Sequence, residues 1–295
     1  MPEAGHSPGP AAGTVRDSFG LRLRYALAAF VFFLGYRVFG LRRGVIRGNL
    51  QRSFPQLGET ERRRIRSEFV TRQSEILAEL DYSRVLTADE LRQRVTLADP
   101  HGVLQQTDRL VLVTGHQCNF EWLLLRMSLE LGADLVCVYK QMNSARAEDY
   151  FNRIRTKFGA RLLPSTQIRQ ELRSIRNARA FGLVADQVPR TSPERHWTRF
   201  LHQDTAFFMG PERMARLLRA RTIYLSMRRL GRGRYEVVIE PLTEAREKLQ
   251  EGETTERYAR ALERDIVADP AGWWWSHKRW KKLRDRKGEV AAPPR

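Results

Sequence analysis

A short apolar run followed by a polar turn and an apolar helix is the feature that most restricts the fold of this chain. Residues 109–114 are β-branched or leucine-rich and match the length of a buried strand. The turn Gly-His-Gln-Cys-Asn-Phe-Glu follows at 115–121, and residues 122–129 then predict an apolar helix that Gly132 closes. The sequence therefore predicts a strand–turn–helix unit of the kind that builds α/β sheets.

The alternation of strand and helix continues over residues 103–239, which predicts the α/β fold class. Besides the run at 109–114, the predicted strands are 134–139, 161–163, 180–185, 222–228 and 235–240. Helices are predicted to follow Glu121, Ala145, Thr166, Pro211 and Thr254. A segment with two glycines, residues 229–234, joins the last two strands as a hairpin. The sequence thus predicts a mixed central sheet flanked by helices.

The charge of the chain indicates the kind of partner it meets. The 52 Lys and Arg residues outnumber the 34 Asp and Glu residues, which gives a formal charge of +18. Such an excess predicts a polyanionic partner, either nucleic acid or an anionic membrane surface with its phosphorylated lipids. The two cysteines, Cys118 and Cys137, form neither a CxxC motif nor a zinc-ligand spacing. They indicate a reduced, cytosol-facing protein without a disulfide framework.

The first 43 residues divide into two parts. Residues 1–20 are rich in Gly, Pro, Ala and Ser, which predicts a disordered tail. Residues 21–43 contain a charge-free apolar stretch from Tyr25 to Tyr36, with arginines on both sides. As a helix this stretch spans about 18 Å, less than a hydrocarbon core of about 30 Å. We therefore expect a helix that lies in the membrane interface; a single membrane span and a core helix of the globular domain are the alternatives.

His116 lies where the first strand ends, and Glu121 lies five residues later, near the start of a helix. On one continuous helix, five residues place two side chains roughly 140° apart, so the pair can meet only if His116 lies in the turn ahead of the helix. Gly115 permits such a turn. A carboxylate beside the imidazole would fix its tautomer and stabilise its protonated form, as a general base requires. The alternative is a histidine that caps the helix or faces solvent.

Other polar residues follow predicted strands and helices. Asp186 and Gln187 follow the strand at 180–185, at the carboxyl edge of the sheet where open α/β sheets bind ligands and where His116 is also expected. Structural capping of the next loop is the alternative. Arg153 and Arg155 lie near the end of a helix and suit a phosphate or a developing oxyanion, because a guanidinium group keeps its charge. For these arginines the alternative is a solvated basic face.

Two segments combine basic and aromatic residues. Residues 190–204 are predicted to form a polar loop, which suits a phosphorylated glycolipid at an interface and would equally suit nucleic acid. Near the end of the chain, Trp273, Trp274, Trp275 and Trp280 lie beside a basic cluster, a pattern typical of an anchor at the level of lipid headgroups. Packing of these tryptophans inside the domain is the alternative.

Taken together, these stretches resemble the bacterial lipid A biosynthesis acyltransferases, the lauroyl/myristoyl transferase family. The resemblance covers residues 21 to 282 and combines an N-terminal apolar helix with motifs in a fixed order. The matching motifs are Asn49-Leu50 with Phe54-Pro55, His116 with Glu121, Arg153 with Arg155, Asp186 at a strand end, and Trp275-Ser276-His277-Lys278-Arg279-Trp280-Lys281. The His-x4-Glu pair is a weak signal by itself, whereas the pair and the tryptophan-rich ending together are a strong one.

The resemblance implies a glycerolipid acyltransferase-like fold for residues 44–295, with residues 21–43 as a membrane-associated helix. It implies transfer of an acyl chain from an acyl carrier protein thioester, or from acyl-CoA, to a hydroxyl of a lipid A precursor. His116 would be the general base and Glu121 would orient it. The residues implied in substrate binding are Asn119, Arg153, Arg155, Asp186 and Gln187. No metal or redox cofactor is implied.

The partners implied are the acyl carrier protein, an anionic phosphorylated lipid acceptor and the cytoplasmic face of the bacterial inner membrane, with no nucleic acid. Another membrane lipid, such as an ornithine lipid, a lysophospholipid or a glycolipid, is an alternative acceptor. A basic nucleic-acid-binding protein would explain the charge but not the apolar stretch at Tyr25–Tyr36. A thiol enzyme that uses Cys118 beside His116 is a further alternative, although adjacent residues in a turn need not point the same way.

Overall fold

A computed structural model describes residues 15–168, 170–171, 177–188 and 195–280 of the chain. Most of the tail predicted over residues 1–20 lies outside these residues. The helix predicted after Thr166 and the start of the predicted loop at Arg190 also fall largely outside them, as does Lys281 of the closing motif.

The central sheet has seven strands in the order β1-β9-β8-β2-β5-β3-β4. The strands are β1 Val95–Ala98, β2 Leu110–Thr114, β3 Leu135–Tyr139, β4 Arg161–Pro164, β5 Ala180–Val184, β8 Arg221–Gly231 and β9 Arg234–Thr243. Neighbouring strands are parallel except for β8 and β9, which form the antiparallel hairpin expected from the glycines at 229–234. The predicted mixed sheet is confirmed, and the edge strand β1 is an addition to it.

Helices flank this sheet, and four of them lie where the alternating pattern predicts them. They are α1 Phe19–Phe32, α2 Arg43–Ser53, α3 Glu59–Tyr82, α4 Ala88–Arg94, α5 Phe120–Leu131, α6 Ala145–Arg155, α7 Gly210–Leu218 and α8 Glu253–Ala268. The helices expected after Glu121, Ala145, Pro211 and Thr254 are α5, α6, α7 and α8. A π-helical turn, Phe33–Val38, extends α1.

The core lies on both faces of β2, in which all five residues are buried. Leu110 and Leu112 pack with the α5 side chains on one face, whereas Val111 and Val113 pack with α7 and α8 on the other. This is the burial expected of a central strand in a parallel sheet with helices on both sides. The turn that follows β2 is therefore held between two packed layers.

The polar loop predicted over residues 190–204 is wrong where the structure describes it. Residues 195–208 form an antiparallel hairpin, β6 Arg195–Phe200 with β7 Gln203–Phe208. The two residues between the strands, Leu201 and His202, have φ of 48° and 62°. A two-residue hairpin turn with both φ values positive usually carries Asn-Gly, so this sequence lacks the local signal for it.

The helix α1 packs on α3 through Leu21, Tyr25 and Ala28, while most of its other apolar residues are exposed. Over Phe19–Tyr36, one helical segment is long and apolar enough to cross a membrane, with a mean hydropathy of 1.3, and only 17% of this window is buried. The alternative of a core helix does not fit, because a core helix would be covered on most of its surface.

Candidate active site

His116 and Asp186 meet because their strands are neighbours. In the parallel pair β2·β5, Thr114 lies opposite Val184, so the residues two positions beyond each strand end come side by side. The Nδ1 atom of His116 lies 2.6 Å from Oδ1 of Asp186. The backbone N–H of His116 donates to the second oxygen, Oδ2, over 3.0 Å. Both residues lie at the carboxyl edge of the sheet, as predicted.

Asp186 is built to remain a carboxylate. It is only 3% exposed, and its Oδ2 also accepts a 2.7 Å hydrogen bond from Nε1 of Trp273. Burial by itself would raise the pKa of Asp186, but the positive charge and the hydrogen bonds of His116, together with the Trp273 bond, lower this pKa to about 2. An ionised Asp186 favours the His116 tautomer that carries its proton on Nδ1.

The opposite ring nitrogen of His116 faces the exposed side chain of Gln187. The side chain of Gln187 is at the surface, and its Nε2 lies 3.1 Å from Nε2 of His116. With the proton on Nδ1, this Nε2 is an acceptor and the Gln187 amide donates to it. His116 therefore presents an unprotonated nitrogen to a group that enters from outside, as a general base must.

Glu121, the orienting carboxylate predicted for His116, contacts Arg155 in the structure, and its orienting role stays a prediction. Both carboxylate oxygens of Glu121 accept hydrogen bonds from Arg155 of α6, one of them over 2.9 Å from Nε. Glu121 lies inside the first turn of α5 and is buried beneath α6. The carboxylate that contacts His116 comes from the neighbouring strand rather than from the following helix.

The two arginines of α6 are separated in the same way. Arg155 is 18% exposed and binds Glu121, whereas Arg153 is 79% exposed and pairs with Asp149 on its own helix. Two residues apart on a helix, their side chains point about 200° apart. The structure therefore brings Arg155 to the buried side of α6 and leaves Arg153 as part of a solvated basic face.

Asn119 does not reach the surface of the structure, and the substrate-binding role predicted for it stays a prediction. It is fully buried, and its Oδ1 accepts a hydrogen bond from the backbone N–H of Trp122, which caps α5. Its amide donates to Glu79 of α3 over 2.7 Å. Asn119 fixes the start of α5, and thereby the end of the turn that carries His116.

The turn itself is packed tightly against α8. A side chain at Gly115 would place its Cβ 2.6 Å from Cδ1 of Leu262, so no other residue fits there without a shift. Cys118, three residues later, has a φ of 51°, a left-handed conformation that lets the chain turn into α5. The backbone of this turn is therefore constrained by packing at Gly115 and by an unusual conformation at Cys118.

The tryptophan-rich ending contacts the turn that carries His116, and its rings differ in how far they are buried. The backbone N–H of Trp274 donates to the carbonyl of His116, and Gly272 accepts a hydrogen bond from the N–H of Cys118. Trp273 and Trp275 are buried, and the ring of Trp274 lies 5.1 Å from the His116 imidazole. The packed alternative is correct for Trp273 and Trp275, while Trp274 stays partly exposed.

The Asn-Leu…Phe-Pro segment binds the tryptophan-rich ending through hydrogen bonds and ring packing. The amide of Asn49 donates to the carbonyls of Trp275 and His277, each over 2.9 Å. The ring of Phe54 packs edge-on against Trp275, with 5.8 Å between the ring centroids. Two motifs more than 200 residues apart thus form one structural unit next to His116.

Cys118 is 5% exposed, and burial raises the pKa of its thiol well above the usual range. A thiol with such a pKa is not a nucleophile near neutral pH. We therefore expect Cys118→Ala to leave acyl transfer within a few-fold of the unmodified protein, as measured in a steady-state assay. Loss of activity by orders of magnitude, in a variant with an unchanged melting temperature, would favour the thiol mechanism instead.

The comparison with protein families agrees with this geometry. Residues 21–282 match the family described as bacterial lipid A biosynthesis acyltransferase. The chain belongs to this family. It is therefore an acyltransferase, and the match covers the apolar helix, the His116 turn and the tryptophan-rich ending. No curated protein matches the chain significantly.

Sequence reasoning about this acyltransferase found His116 and Asp186 but placed them in different roles. Asp186 was expected among the substrate-binding residues, although its position at a strand end already indicated the shared edge of the sheet. The contributions of Trp273 and Trp274 to the site were missed, because no local signal shows that the end of the chain pairs with the turn near its middle.

Proposed function

We propose that this enzyme moves a fatty acyl chain from an acyl carrier protein thioester to a hydroxyl of a lipid A precursor. The observation that carries the proposal is the His116–Asp186 pair, which leaves Nε2 of the imidazole directed at the exposed Gln187 side chain. A hydroxyl is a poor nucleophile at neutral pH, so its transfer chemistry needs a positioned base. Family membership supports the same reaction class.

In this mechanism the acceptor hydroxyl takes the place of the Gln187 amide at Nε2 of His116. The imidazole removes the hydroxyl proton while the oxygen attacks the thioester carbonyl carbon. The tetrahedral intermediate collapses, the C–S bond breaks, and His116 returns the proton to the leaving thiolate. Asp186 stabilises the imidazolium between these two proton transfers, as its depressed pKa indicates.

We propose that the ion pair of Arg155 and Glu121 positions α6 on α5, and that Arg155 also has an electrostatic role. The bidentate contact uses Nε and Nη2 of Arg155, which holds α6 against the first turn of α5. The third guanidinium nitrogen of Arg155, Nη1, makes no hydrogen bond within the described residues. We propose that it stabilises negative charge on the phosphorylated acceptor or on the developing oxyanion.

Other donors and acceptors are compatible with the same proton-transfer chemistry. Acyl-CoA is the alternative donor, and an ornithine lipid, a lysophospholipid or a glycolipid is the alternative acceptor. We propose no metal or redox cofactor, since imidazole and carboxylate suffice for the proton transfers. We propose that the protein, with its formal charge of +18, binds the anionic cytoplasmic surface of the bacterial inner membrane rather than nucleic acid.

Mass spectrometry of lipids tests the reaction directly. Purified protein is incubated with an acylated carrier protein and an extract of lipid A precursors, and the masses of the lipids are compared with a His116→Ala control. We expect one precursor to gain the mass of one acyl chain. If the added mass appears on a phospholipid or an ornithine lipid instead, the acceptor proposed here is wrong; if it appears on no lipid, the reaction itself is.

The exposed apolar side of α1 predicts tight membrane association. Leu23, Leu27 and Phe30 are 58–61% exposed, so changing all three to Gln should lower membrane retention at least tenfold, because each buries apolar area in the interface. Sedimentation of membranes in high salt measures the retained fraction. A matched triple change of exposed apolar residues elsewhere, Leu217, Leu230 and Val267, should leave it unchanged. Release of the unmodified protein by salt alone would contradict the prediction.

A further inference from the structure

A second concave surface lies away from His116, between α1, α2 and α3. It has a volume of about 920 Å³, and we call it the arginine groove. Three aromatic residues and four arginines are among its lining residues, namely Phe32, Phe33, Tyr36, Arg43, Arg47, Arg63 and Arg66. None of the residues described at the His116 site lines it, so the groove is separate from the proposed reaction.

The arginine groove is strongly positive. Its described lining residues include four arginines and no acidic residue. Glu59, which does not line the groove, lies 3.9 Å from Arg47, 3.4 Å from Arg63 and 3.6 Å from Arg62, so its one negative charge is shared among three arginines. Arg66 forms no ion pair with any residue within the described part of the chain. Four guanidinium groups that line one groove without an acidic lining residue favour a phosphate.

The spacing of the arginines places them on one face of each helix. Arg63, Arg66 and Val70 lie three and four residues apart, on one face of α3, and Arg43 and Arg47 lie four apart on α2. The guanidinium of Arg43 stacks over the ring of Tyr36, 5.1 Å from the ring centroid, so arginine and aromatic lining residues are in contact. The groove is therefore lined by two arginines from each of these two helices.

The aromatic lining of the groove continues into the exposed apolar surface of α1. Phe33 lines the groove and is 55% exposed, and Phe30 and Val31 beside it are also exposed. A ligand that fits this arrangement has an anionic head between the arginines and an apolar chain along the helix. A free phosphate would use only the arginines, and a soluble anion would leave the aromatic residues uncovered.

We propose that the arginine groove binds one anionic phospholipid of the bilayer, with its phosphate between Arg43, Arg47, Arg63 and Arg66 and an acyl chain along Phe32 and Phe33. The phospholipid holds α1, α2 and α3 at a fixed depth in the membrane surface. It is a bound lipid distinct from the acyl acceptor, because the groove shares no residue with the site around His116.

Native mass spectrometry of the full-length protein in neutral detergent tests this binding, with phosphatidylglycerol and phosphatidylcholine as probes. We expect one tightly bound phosphatidylglycerol and an affinity for phosphatidylcholine at least tenfold weaker. The double change Arg63→Gln, Arg66→Gln should weaken phosphatidylglycerol binding at least tenfold, as the loss of two charged donors to one phosphate implies. The double change Arg64→Gln, Arg246→Gln removes the same charge outside the groove and should change this affinity less than twofold.

A variant that fills the groove without changing its charge gives an independent test. Ser67 lines the groove and is exposed, so Ser67→Trp should also displace the lipid while leaving the melting temperature unchanged. Equal weakening in both double variants would assign the binding to bulk charge and overturn the proposal. Unchanged binding in Ser67→Trp would overturn it as well. Displacement of the phospholipid by a phosphorylated glucosamine lipid, one for one, would make the groove an acceptor site instead.

Discussion

Replacing Asp186 by Asn should lower acyl transfer by roughly 10²-fold or more while the protein stays folded. The reason lies in the two oxygens of Asp186. Oδ2 accepts from the backbone N–H of His116 and from Nε1 of Trp273, so the amide oxygen of the variant must take this position. The amide N–H₂ then faces Nδ1 of His116. This contact favours the tautomer with the proton on Nε2, which cannot accept a proton from the acceptor hydroxyl.

His116 and Asp186 should also behave as one unit. His116→Ala should remove about 10²- to 10⁴-fold of the turnover, which is the usual contribution of a general base. The double variant should be scarcely slower than His116→Ala, because Asp186 acts through the imidazole. Steady-state kinetics with melting temperatures measured in parallel separates this from a loss of folded protein. Multiplicative losses from the two changes, or a fully active His116→Ala protein, would end the proposal.

Glu121 offers the matched comparison. Its oxygens bind Arg155 and not His116, so Glu121→Gln should leave the tautomer of the imidazole unchanged. The fold-loss of activity on this change should therefore multiply with that of His116→Ala or Asp186→Asn, because the effects of independent groups add as free energies. If Glu121→Gln is instead masked by His116→Ala, Glu121 orients the base during turnover, in a conformation different from the one described above.

Replacing Glu79 by Leu should lower the free energy of unfolding by several kcal/mol, on the order of 3 or more. Glu79 of α3 is fully buried and accepts hydrogen bonds from Tyr25 of α1, Tyr235 of β9 and Asn119 at the start of α5. An apolar side chain leaves three buried donors without a partner. Denaturant titration in neutral detergent measures the effect, and Glu61→Gln on the exposed side of the same helix is the control.

The same carboxyl group predicts a pH dependence of stability. Burial raises the pKa of Glu79 to about 7, against the lowering effect of the bonds from Tyr235, Asn119 and Tyr25. Between about pH 4.5 and 7 the folded protein then binds more protons at this position than the unfolded chain, so stability falls as the pH rises through this window. Asp186, with its pKa lowered to about 2, acts in the opposite direction and only below about pH 4.

Glu79→Gln cannot titrate, so its stability should change less between pH 5 and pH 7.5 than that of the unmodified protein. Denaturant midpoints at the two pH values, with Glu61→Gln as control, measure the difference. An identical pH slope in the unmodified protein and in Glu79→Gln would show that another group is responsible. A steeper slope in the variant would show that the pKa of Glu79 is not raised.

The sequence alone determined those parts of the protein that depend on residues close together in the chain. The apolar run of β2, the turn at Gly115 and the apolar helix α5 were recognisable because each has its own local pattern. The hairpin of β8 and β9 was recognisable from Gly231 and Gly233. The hairpin of β6 and β7 was not, because Leu201 and His202 adopt its turn without the residues that usually mark it.

The tertiary structure alone decided which groups meet at the site. Glu121 is five residues from His116 and binds Arg155, whereas Asp186 is 70 residues away and binds His116. Likewise Asn49 supports Trp275 from a position 226 residues earlier in the chain. Such contacts are set by the order and register of the strands and by packing between distant helices. These are properties of the whole sheet, and no local pattern of residue types encodes them.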